Sequence, residues 1–600
     1  MTILGISGLY HDSAAAIVRD GRILAAAQEE RFTRIKNDPS LPVHAIEYCL
    51  KEADISMPEA DAVVYYDQPA LTLDRYLHNV LALGGKAEPM LESCFENLIE
   101  NRLGIDRLLR RRYGVLGRED RLYTLEHHLS HAASAFYPSP FERAAVLTVD
   151  GVGEWATTAI GFGEKNHIEL IKEIRYPHSL GLFYSAFTSF CGFRVNSGEY
   201  KFMGLAPYGE PVYEKLIRNK IIELHEDGSF ELALDCFDFY RSSRMTGRAF
   251  AALFEGDPRQ EDAPITRREM DLAASVQKIT EEILLRLARE AKRTTGCRDL
   301  ALAGGVALNC AANGKLQRAG VFERLFIQPA AGDAGGALGA ALYGYYALSG
   351  SKREPEAEDS QQGSYLGPEF CENEIRTALD RLGARYTCLP QEELLRQTAE
   401  ALAQGAVVGW FQGRAEFGPR ALGHRSILAD PRRVEMQETL NRKIKFRESF
   451  RPFAPSVLAE DASDYFDLNC ESPYMLLIAP VREDRRLPFD ISALREKCGD
   501  DMLPLIRTPR SDIPAVTHVD FSARVQTVSK ERNGIYYDLL TEFKKTTGCS
   551  VLVNTSFNVR GEPIVQTPEE AYACFQKTDM DLLVIGSCIL RKEEQEGSST

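Results

Sequence analysis

His127 and His131 stand four residues apart in the run Glu126-His127-His128-Leu129-Ser130-His131-Ala132-Ala133. On a helix that spacing puts both imidazoles on one face, a turn apart, where they can share a metal ion. The apolar run Ala144–Val149 follows and ends at Asp150-Gly151, so the Asp150 carboxylate is expected to project from a strand end. Two imidazoles and a carboxylate on rigid elements form a metal site with positions left open for substrate. For the histidines alone, a helix start with ordinary solvated side chains is the plainer reading. A second group is basic. Between Phe411 and Arg451, ten arginines and lysines stand against five acids, a local excess of five positive charges in a chain of net charge −16. They are interleaved with Phe, Gly and Pro, as in Gly413-Arg414-Ala415-Glu416-Phe417-Gly418-Pro419-Arg420. Such sequences build shaped loops, in which guanidinium forks bind phosphate or carboxylate; a solvated basic face is the alternative.

Elements to position these groups are legible around them. The chain opens with a strand, Ile3–Ile6, the loop Gly8-Leu9-Tyr10-His11-Asp12, a strand Ser13–Val18, the turn Asp20-Gly21 and a strand Arg22–Ala27. The pattern returns as Ala145–Val149, the loop Asp150–Glu154, Ala156–Phe162, the turn Lys165-Asn166 and His167–Ile174. Two such hairpins are what a duplicated ATPase fold of the actin, Hsp70 and sugar-kinase type needs, each half offering a loop to phosphate or metal. Residues 271–295 carry helical periodicity and run into a strand, Leu300–Leu302, then Gly304-Gly305-Val306-Ala307-Leu308-Asn309. A second glycine-rich loop, Gln328–Ala337, contains Gly332, Asp333, Gly335 and Gly336. Glycines between a strand and a helix let backbone N–H groups approach an anion, or simply make a tight turn. Late in the chain, Val551–Val553 leads into Asn554-Thr555-Ser556-Phe557-Asn558, whose side chains suit phosphate oxygens and local turns equally well.

The charged, apolar-poor stretch 351–363 reads as a linker, dividing the chain into domains 1–355 and 364–600. Segments 68–120 and 210–265 are expected to be helical insertions, and 592–600 a disordered tail. Six hundred residues exceed one core, and the acidic balance excludes wholesale nucleic-acid binding. The 13 cysteines are odd in number and include no Cys-x-x-Cys pair. That argues against a zinc knuckle or disulfide framework and for a reducing cytoplasm. No secretory leader or membrane-spanning run is read, so a cytoplasmic, non-membrane protein is expected.

Several blocks, taken together, resemble the O-carbamoyltransferases of antibiotic and nodulation-factor biosynthesis. They are Tyr10-His11-Asp12-Ser13-Ala14-Ala15, Glu126–Ala132, Gly198-Glu199-Tyr200-Lys201-Phe202-Met203-Gly204-Leu205-Ala206, Gly304–Asn309, Arg414–Arg425, Lys445-Phe446-Arg447-Glu448-Ser449-Phe450-Arg451-Pro452 and Val553–Pro563. The resemblance implies an N-terminal domain similar to the tRNA threonylcarbamoyl-transferase domain. It also implies a C-terminal α/β domain resembling threonylcarbamoyl-adenylate synthase, with Lys445-x-Arg447 and Ser556-x-Asn558 as its motifs. The implied metal ligands are His127, His131, Asp150 and Asp333, with iron the usual metal; spacing alone does not reveal Asp333. Carbamoyl phosphate, ATP and Mg²⁺ would give carbamoyl-adenylate at Lys445, Arg447, Arg451, Arg420, Arg524, Asn554, Ser556 and Asn558. Transfer to a hydroxyl of a small-molecule acceptor would follow in the N-terminal domain. There His11 would act as base, and Lys201, Gly204, Gly304, Gly305, Asn309 and Gly335 would contact the nucleotide. No nucleic-acid partner is implied, and a homodimer is compatible with the reading. A tRNA threonylcarbamoyl-type enzyme would share both domains, but its substrate calls for a basic face. A hydrogenase-maturation carbamoyltransferase would need zinc-finger cysteines, a sugar kinase would not need the basic blocks, and an actin-like assembly protein would not need the histidine–aspartate site.

Overall fold

A computed structural model describes residues 1–86 and 95–595. The chain forms two compact units. The first comprises Met1–Thr33 and Asn37–Gln361; the second comprises Arg34–Lys36 and Gln362–Thr600.

The first unit contains two five-stranded sheets of one topology. β1 (Thr2–Ser7), β2 (Ala14–Arg19) and β3 (Arg22–Gln28) run antiparallel in succession, and β4 (Ala62–Tyr65) and β5 (Leu122–Thr124) add in parallel on the other side of β1. β6 (Arg143–Val149), β7 (Ala156–Glu164) and β8 (His167–Arg175) repeat the antiparallel trio. A small separate hairpin, β9 (Ile222–Leu224) with β10 (Phe230–Leu232), intervenes before β11 (Asp299–Ala303) and β12 (Arg324–Ile327) add in parallel beside β6. Both hairpins expected from the sequence are formed. The first turns through Asp20 and Gly21, both at positive φ, as a tight hairpin between right-twisted strands requires. The loop carrying His11 leaves β1, and the loop carrying Asp150 leaves β6, so the duplication places two chemical loops at equivalent strand ends.

The long helix Arg267–Thr295 starts four residues before the periodicity expected from residue 271, because Thr266 and Glu269 form a capping box; Gly296 ends it in the left-handed region. The helix Asp333–Tyr343 is buried over almost its whole length. It packs between β1 and the helix His127–Phe136. A Cβ on Gly5 would lie 2.0 Å from the Ala337 carbonyl oxygen, and one on Gly339 would lie 1.9 Å from that of Ser130. Backbone touches backbone at both contacts.

In the stretch 351–363, residues 352 and 354–358 are exposed as expected of a linker, but one residue among them is not. Arg353 is buried and donates to the carbonyls of Phe136 (3.0 Å), Tyr137 (3.0 Å), Ser139 (2.7 Å) and Phe141 (2.7 Å), with its guanidinium over the Phe136 ring. It thereby satisfies carbonyls that the end of the His127–Phe136 helix leaves unpaired. Composition concealed this, because one buried arginine looks like a linker charge. The segment 210–265 is only partly helical, since it includes the β9–β10 hairpin.

The second unit is a nine-stranded mixed sheet. In chain order its strands are β13 (Thr387–Cys388), β14 (Val408–Phe411), β15 (Arg425–Ala429), β16 (Ala454–Leu458), β17 (Leu477–Pro480), β18 (Ser522–Val528), β19 (Val551–Ser556), β20 (Leu582–Ile585) and β21 (Cys588–Arg591). In space they run β13-β21-β20-β14-β15-β19-β16-β18-β17. Cys388 and Cys588 oppose one another on β13 and β21 and are joined as a disulfide, a single pair and not a framework. They are 200 residues apart, so no sequence spacing announces the pair. The tail is ordered to Gln595: Lys592 donates to the carbonyls of Phe575 and Gln576, and Gln595 exchanges hydrogen bonds with the Arg385 backbone. Residues 596–600 lie outside the described residues. Among the described residues no helix is long and apolar enough to cross a membrane.

The Gly339 contact gives a direct test. Gly339→Val forces the two helices apart and should cost about 3 kcal/mol or more in unfolding free energy. Gly332→Ala, where an added Cβ meets nothing within 4 Å, should leave the denaturation midpoint unchanged. Both are read by urea unfolding.

Candidate metal centre and anion site

In the first unit, His127, His131, Asp150 and Asp333 converge. One ligand atom from each lies within 4.8 Å of all the others, and all four residues are buried. The histidines come from successive turns of one helix, Asp150 from the end of β6, and Asp333 from the first turn of its own helix. His127 Nε2 is 3.0 Å from Asp150 Oδ2 and 3.0 Å from His131 Nε2. Asp333 Oδ1 lies 3.7 Å from His127 Nε2 and 3.9 Å from His131 Nε2. Two imidazole nitrogens this close must share either a proton or a cation, and the 2-His, 2-carboxylate set fits a divalent transition metal. Burial alone would push His127 down, but Asp333 and Asp150 outweigh it and hold its pKa at about 9. Burial would likewise raise Asp150, yet hydrogen bonds from His127 and His131 hold it well below the carboxylate range.

His128 turns away. Its Nδ1 lies 2.7 Å from Thr148 Oγ1, and burial pushes it down to about 3, a neutral core histidine. His11, from the β1 loop, joins the cluster at its edge, with Nε2 3.7 Å from Asp333 Oδ2 and Nδ1 3.0 Å from Asp12 Oδ2. Burial lowers its pKa, but Asp333 and Asp12 raise it more, to about 10. Two further residues carry no signal in the sequence: Tyr66, whose buried hydroxyl lies 3.3 Å from Asp333 Oδ2, and Glu154, which accepts from the His127 N–H at 2.9 Å.

The expected nucleotide residues are placed as follows. Gly305 N–H donates to Asp150 Oδ1 at 2.9 Å, so it orients a candidate ligand. Gly304 has φ +91°, and a Cβ there would sit 2.3 Å from the Val149 carbonyl, which makes glycine obligatory. A Cβ on Gly335 would likewise meet the Ala330 carbonyl at 2.1 Å. Asn309 caps the helix Cys310–Arg318, accepting from Ala312 N, and exchanges two 3.0 Å hydrogen bonds with Gln277. Its side chain is thus engaged within the protein. Lys201 and Gly204 lie on the helix Glu199–Leu205. That helix approaches the Cys310 helix through Met203, whose sulfur is 3.8 Å from Cys310 Sγ.

In the second unit, Lys445 forms one cluster with Ser556 and Asn558, which lie 111 and 113 residues further along the chain. The buried Lys445 ammonium donates to Ser556 O (2.6 Å) and Oγ (3.2 Å), and to Asn558 O (2.8 Å) and Oδ1 (2.6 Å). Burial, followed by the charges of Arg447 and Arg451, pushes Lys445 well below the usual lysine range. Arg447 donates to Asn441 Oδ1 at 2.7 Å and lies over the Phe453 ring; Arg451 is 3.7 Å from Glu448. Arg420 lies in the β14–β15 loop, and Arg524 on β18 opposite Ile478. Asn554 shares a buried network with Ser456 (3.1 Å) and Gln526 (2.9 Å), a role inside the sheet and not at a phosphate.

The basic block is therefore not one binding face. Arg425 is fully buried over the Phe411 ring and spends its forks on the carbonyls of Gln412, Gly413, His424 and Pro368. Arg414 holds the carbonyls of Leu366 and Gly367, Arg432 pairs with Asp430, and Arg442 pairs with Glu438. Arg414 and Arg425 thus hold the β14–β15 loop and the backbone beside it. Another organiser of that loop is buried Glu416, which accepts from the backbone N–H groups of Leu422, His424 and Arg425.

Residues 2–342 match the family model of the carbamoyltransferase N-terminus, and residues 399–592 that of the carbamoyltransferase C-terminus. The chain belongs to the carbamoyltransferase family and is an enzyme of carbamoyl transfer. It is 52% identical to the Synechocystis protein sll1178, over 99% of this chain and 97% of that one. It is 37% identical to nodulation protein NolNO of Sinorhizobium fredii, over 97% of this chain and 79% of NolNO. With the 3'-hydroxymethylcephem-O-carbamoyltransferase of Amycolatopsis lactamdurans it shares 27% identity, over 97% of this chain and 98% of that protein.

His424 provides a pH test of the loop. It stacks on Tyr365 with ring centroids 3.6 Å apart and hydrogen-bonds to the Arg414 carbonyl, and burial pushes it down to about 4. The unfolded imidazole titrates near 6.5. Between about pH 6.5 and 4 the unfolded chain thus takes up a proton that the folded chain refuses, and stability falls with pH. His424→Gln should flatten the decrease in urea midpoint between pH 7 and pH 5; an equal decrease in the variant would remove His424 from the account.

Proposed function

We propose that this carbamoyltransferase works in two stages, the first of them ATP-dependent, and carbamoylates a hydroxyl of a small molecule. The observation that carries the reading is the convergence of His127, His131, Asp150 and Asp333 within 4.8 Å in a member of this family. The name of the A. lactamdurans relative, an O-carbamoyltransferase, supports a hydroxyl as acceptor. In the second unit, Lys445, Arg447 and Arg451 neutralise the phosphates of ATP and carbamoyl phosphate, with Mg²⁺, while water releases inorganic phosphate from carbamoyl phosphate and the carbamate oxygen displaces pyrophosphate from the ATP α-phosphorus to give carbamoyl-adenylate. The Lys445–Ser556–Asn558 cluster supports that role: a desolvated ammonium surrounded by oxygen acceptors is poised to exchange some of them for phosphate oxygens.

In the first unit, the four donors would hold a divalent metal, with iron the expected ion. When bound, it supplies Lewis-acid polarisation of the carbamoyl or phosphate oxygen. Asp150 is oriented for this by the Gly305 N–H, and Asp333 by Tyr66. With Asp333 engaged as a ligand, its charge would no longer hold His11 protonated. His11 would then take the proton of the acceptor hydroxyl at Nε2, while Nδ1 stays bonded to Asp12, as the hydroxyl oxygen bonds to the carbamoyl carbon and AMP leaves.

Several outcomes follow. ATP with carbamoyl phosphate should release pyrophosphate without any tRNA; release of ADP alone would refute the adenylate. His131→Ala should lose divalent-metal binding and acceptor carbamoylation while keeping pyrophosphate release. Lys445→Ala should show the reverse, losing pyrophosphate release but still carbamoylating an acceptor when supplied with preformed carbamoyl-adenylate. His11→Ala should slow transfer about 100-fold; a rise in acceptor KM with unchanged kcat would make it a binding residue.

A further inference from the structure

Glu154 shares the β6–β7 loop with Asp150 but is not one of the four donors. Its carboxylate is buried where two helices begin. Oε1 accepts from the N–H of His127 at 2.9 Å and from that of Gln68 at 2.9 Å, and Oε2 lies 3.2 Å from the same His127 nitrogen. Neither helix caps itself: Gln68, before Pro69–Leu83, and Glu126, before His127–Phe136, make no side-chain cap. The first N–H groups of a helix have no partner within it and form the positive end of its dipole. The Glu154 carboxylate fills both needs from outside. Arg75, on the first of these helices, in turn donates to the Glu154 carbonyl oxygen, and the neighbouring Asp67 is fixed by Arg102.

One six-residue loop therefore carries a donor, Asp150, and the anchor of the helix that carries two more. His127 Nε2 lies 3.0 Å from Asp150 Oδ2 across that short path. We infer that Glu154 is a positioning residue of the metal centre. By accepting from the His127 N–H it locks the start of the His127–Phe136 helix to the Asp150 loop, and so sets the affinity for a divalent metal. The inference rests on reading the four residues as a metal centre.

Second-layer partners of metal ligands typically change affinity 10–100-fold. The test is Co²⁺ binding to the full-length, chelator-treated protein, by calorimetric titration and by the visible absorption of bound Co²⁺. Glu154→Ala should weaken Co²⁺ at least 10-fold and alter its absorption. Glu154→Gln, which keeps an oxygen acceptor for the N–H, should recover most of the affinity. The thermal unfolding midpoint establishes folding, and Glu154→Asp, one methylene short, replaces the alanine variant with the same expectation if that variant is insoluble. Wild-type affinity and absorption in Glu154→Ala would overturn the inference. Equal losses in the alanine and glutamine variants would also overturn it, because the effect would then belong to the charge. A wild-type chain that binds no Co²⁺ would overturn the metal reading itself, a result separable from both.

Discussion

The geometry of the first unit depends on one backbone contact, that of Gly339 against the Ser130 carbonyl. Asp333 heads the helix containing Gly339, and Ser130 lies between the two candidate histidine ligands on the neighbouring helix. Protein interiors are close-packed and transmit displacement instead of absorbing it. The interaxial distance at Gly339 therefore sets how far Asp333 stands from His127 and His131. Gly5 on β1 performs the same service on the other side of the helix, so the strand that leads to His11 is held at a matching distance. Four residues from three separate elements meet within a few ångströms because small residues let the elements approach.

Charge is the second organising constraint. The cluster buries two carboxylates and two imidazoles, and a buried ionised group is costly unless paired. The structure compensates locally: His127 supports Asp150, the Gly305 N–H supports it further, and Asp333 draws on Tyr66. The second unit shows the converse economy. Several of its arginines are engaged by backbone carbonyls or by carboxylates, while the buried Lys445 ammonium sits at the point where β19 ends.

Much of this was legible in the sequence, for identifiable reasons. The repeated hairpins were visible because strand alternation and Asp-Gly turns are local signals. His127, His131 and Asp150 could be grouped because two share a helical repeat and the third closes an apolar run; Asp333 came only through family resemblance, since nothing in its own loop points to histidines two hundred residues away. Glu154 and Tyr66 were invisible for the same reason: their roles depend on which backbone and which carboxylate they face. Arg353 and Arg425 were misread because composition counts charge without saying whether it meets water or a ring of carbonyls. Asn309 and Asn554 have side chains that suit phosphate, but a buried neighbour had already claimed each.

The Arg353 clamp gives the chain a mechanical boundary that differs from any compositional one. Four hydrogen bonds at and just beyond the end of the histidine helix are made by a residue whose own segment looks dispensable. A protease that cut just before Arg353 would sever no regular element. It would nevertheless let the guanidinium leave and take one donor from each of four carbonyls. Fraying would then begin at Phe136 and travel toward His131, so the point of greatest fragility lies on the opposite end of that helix from its chemistry.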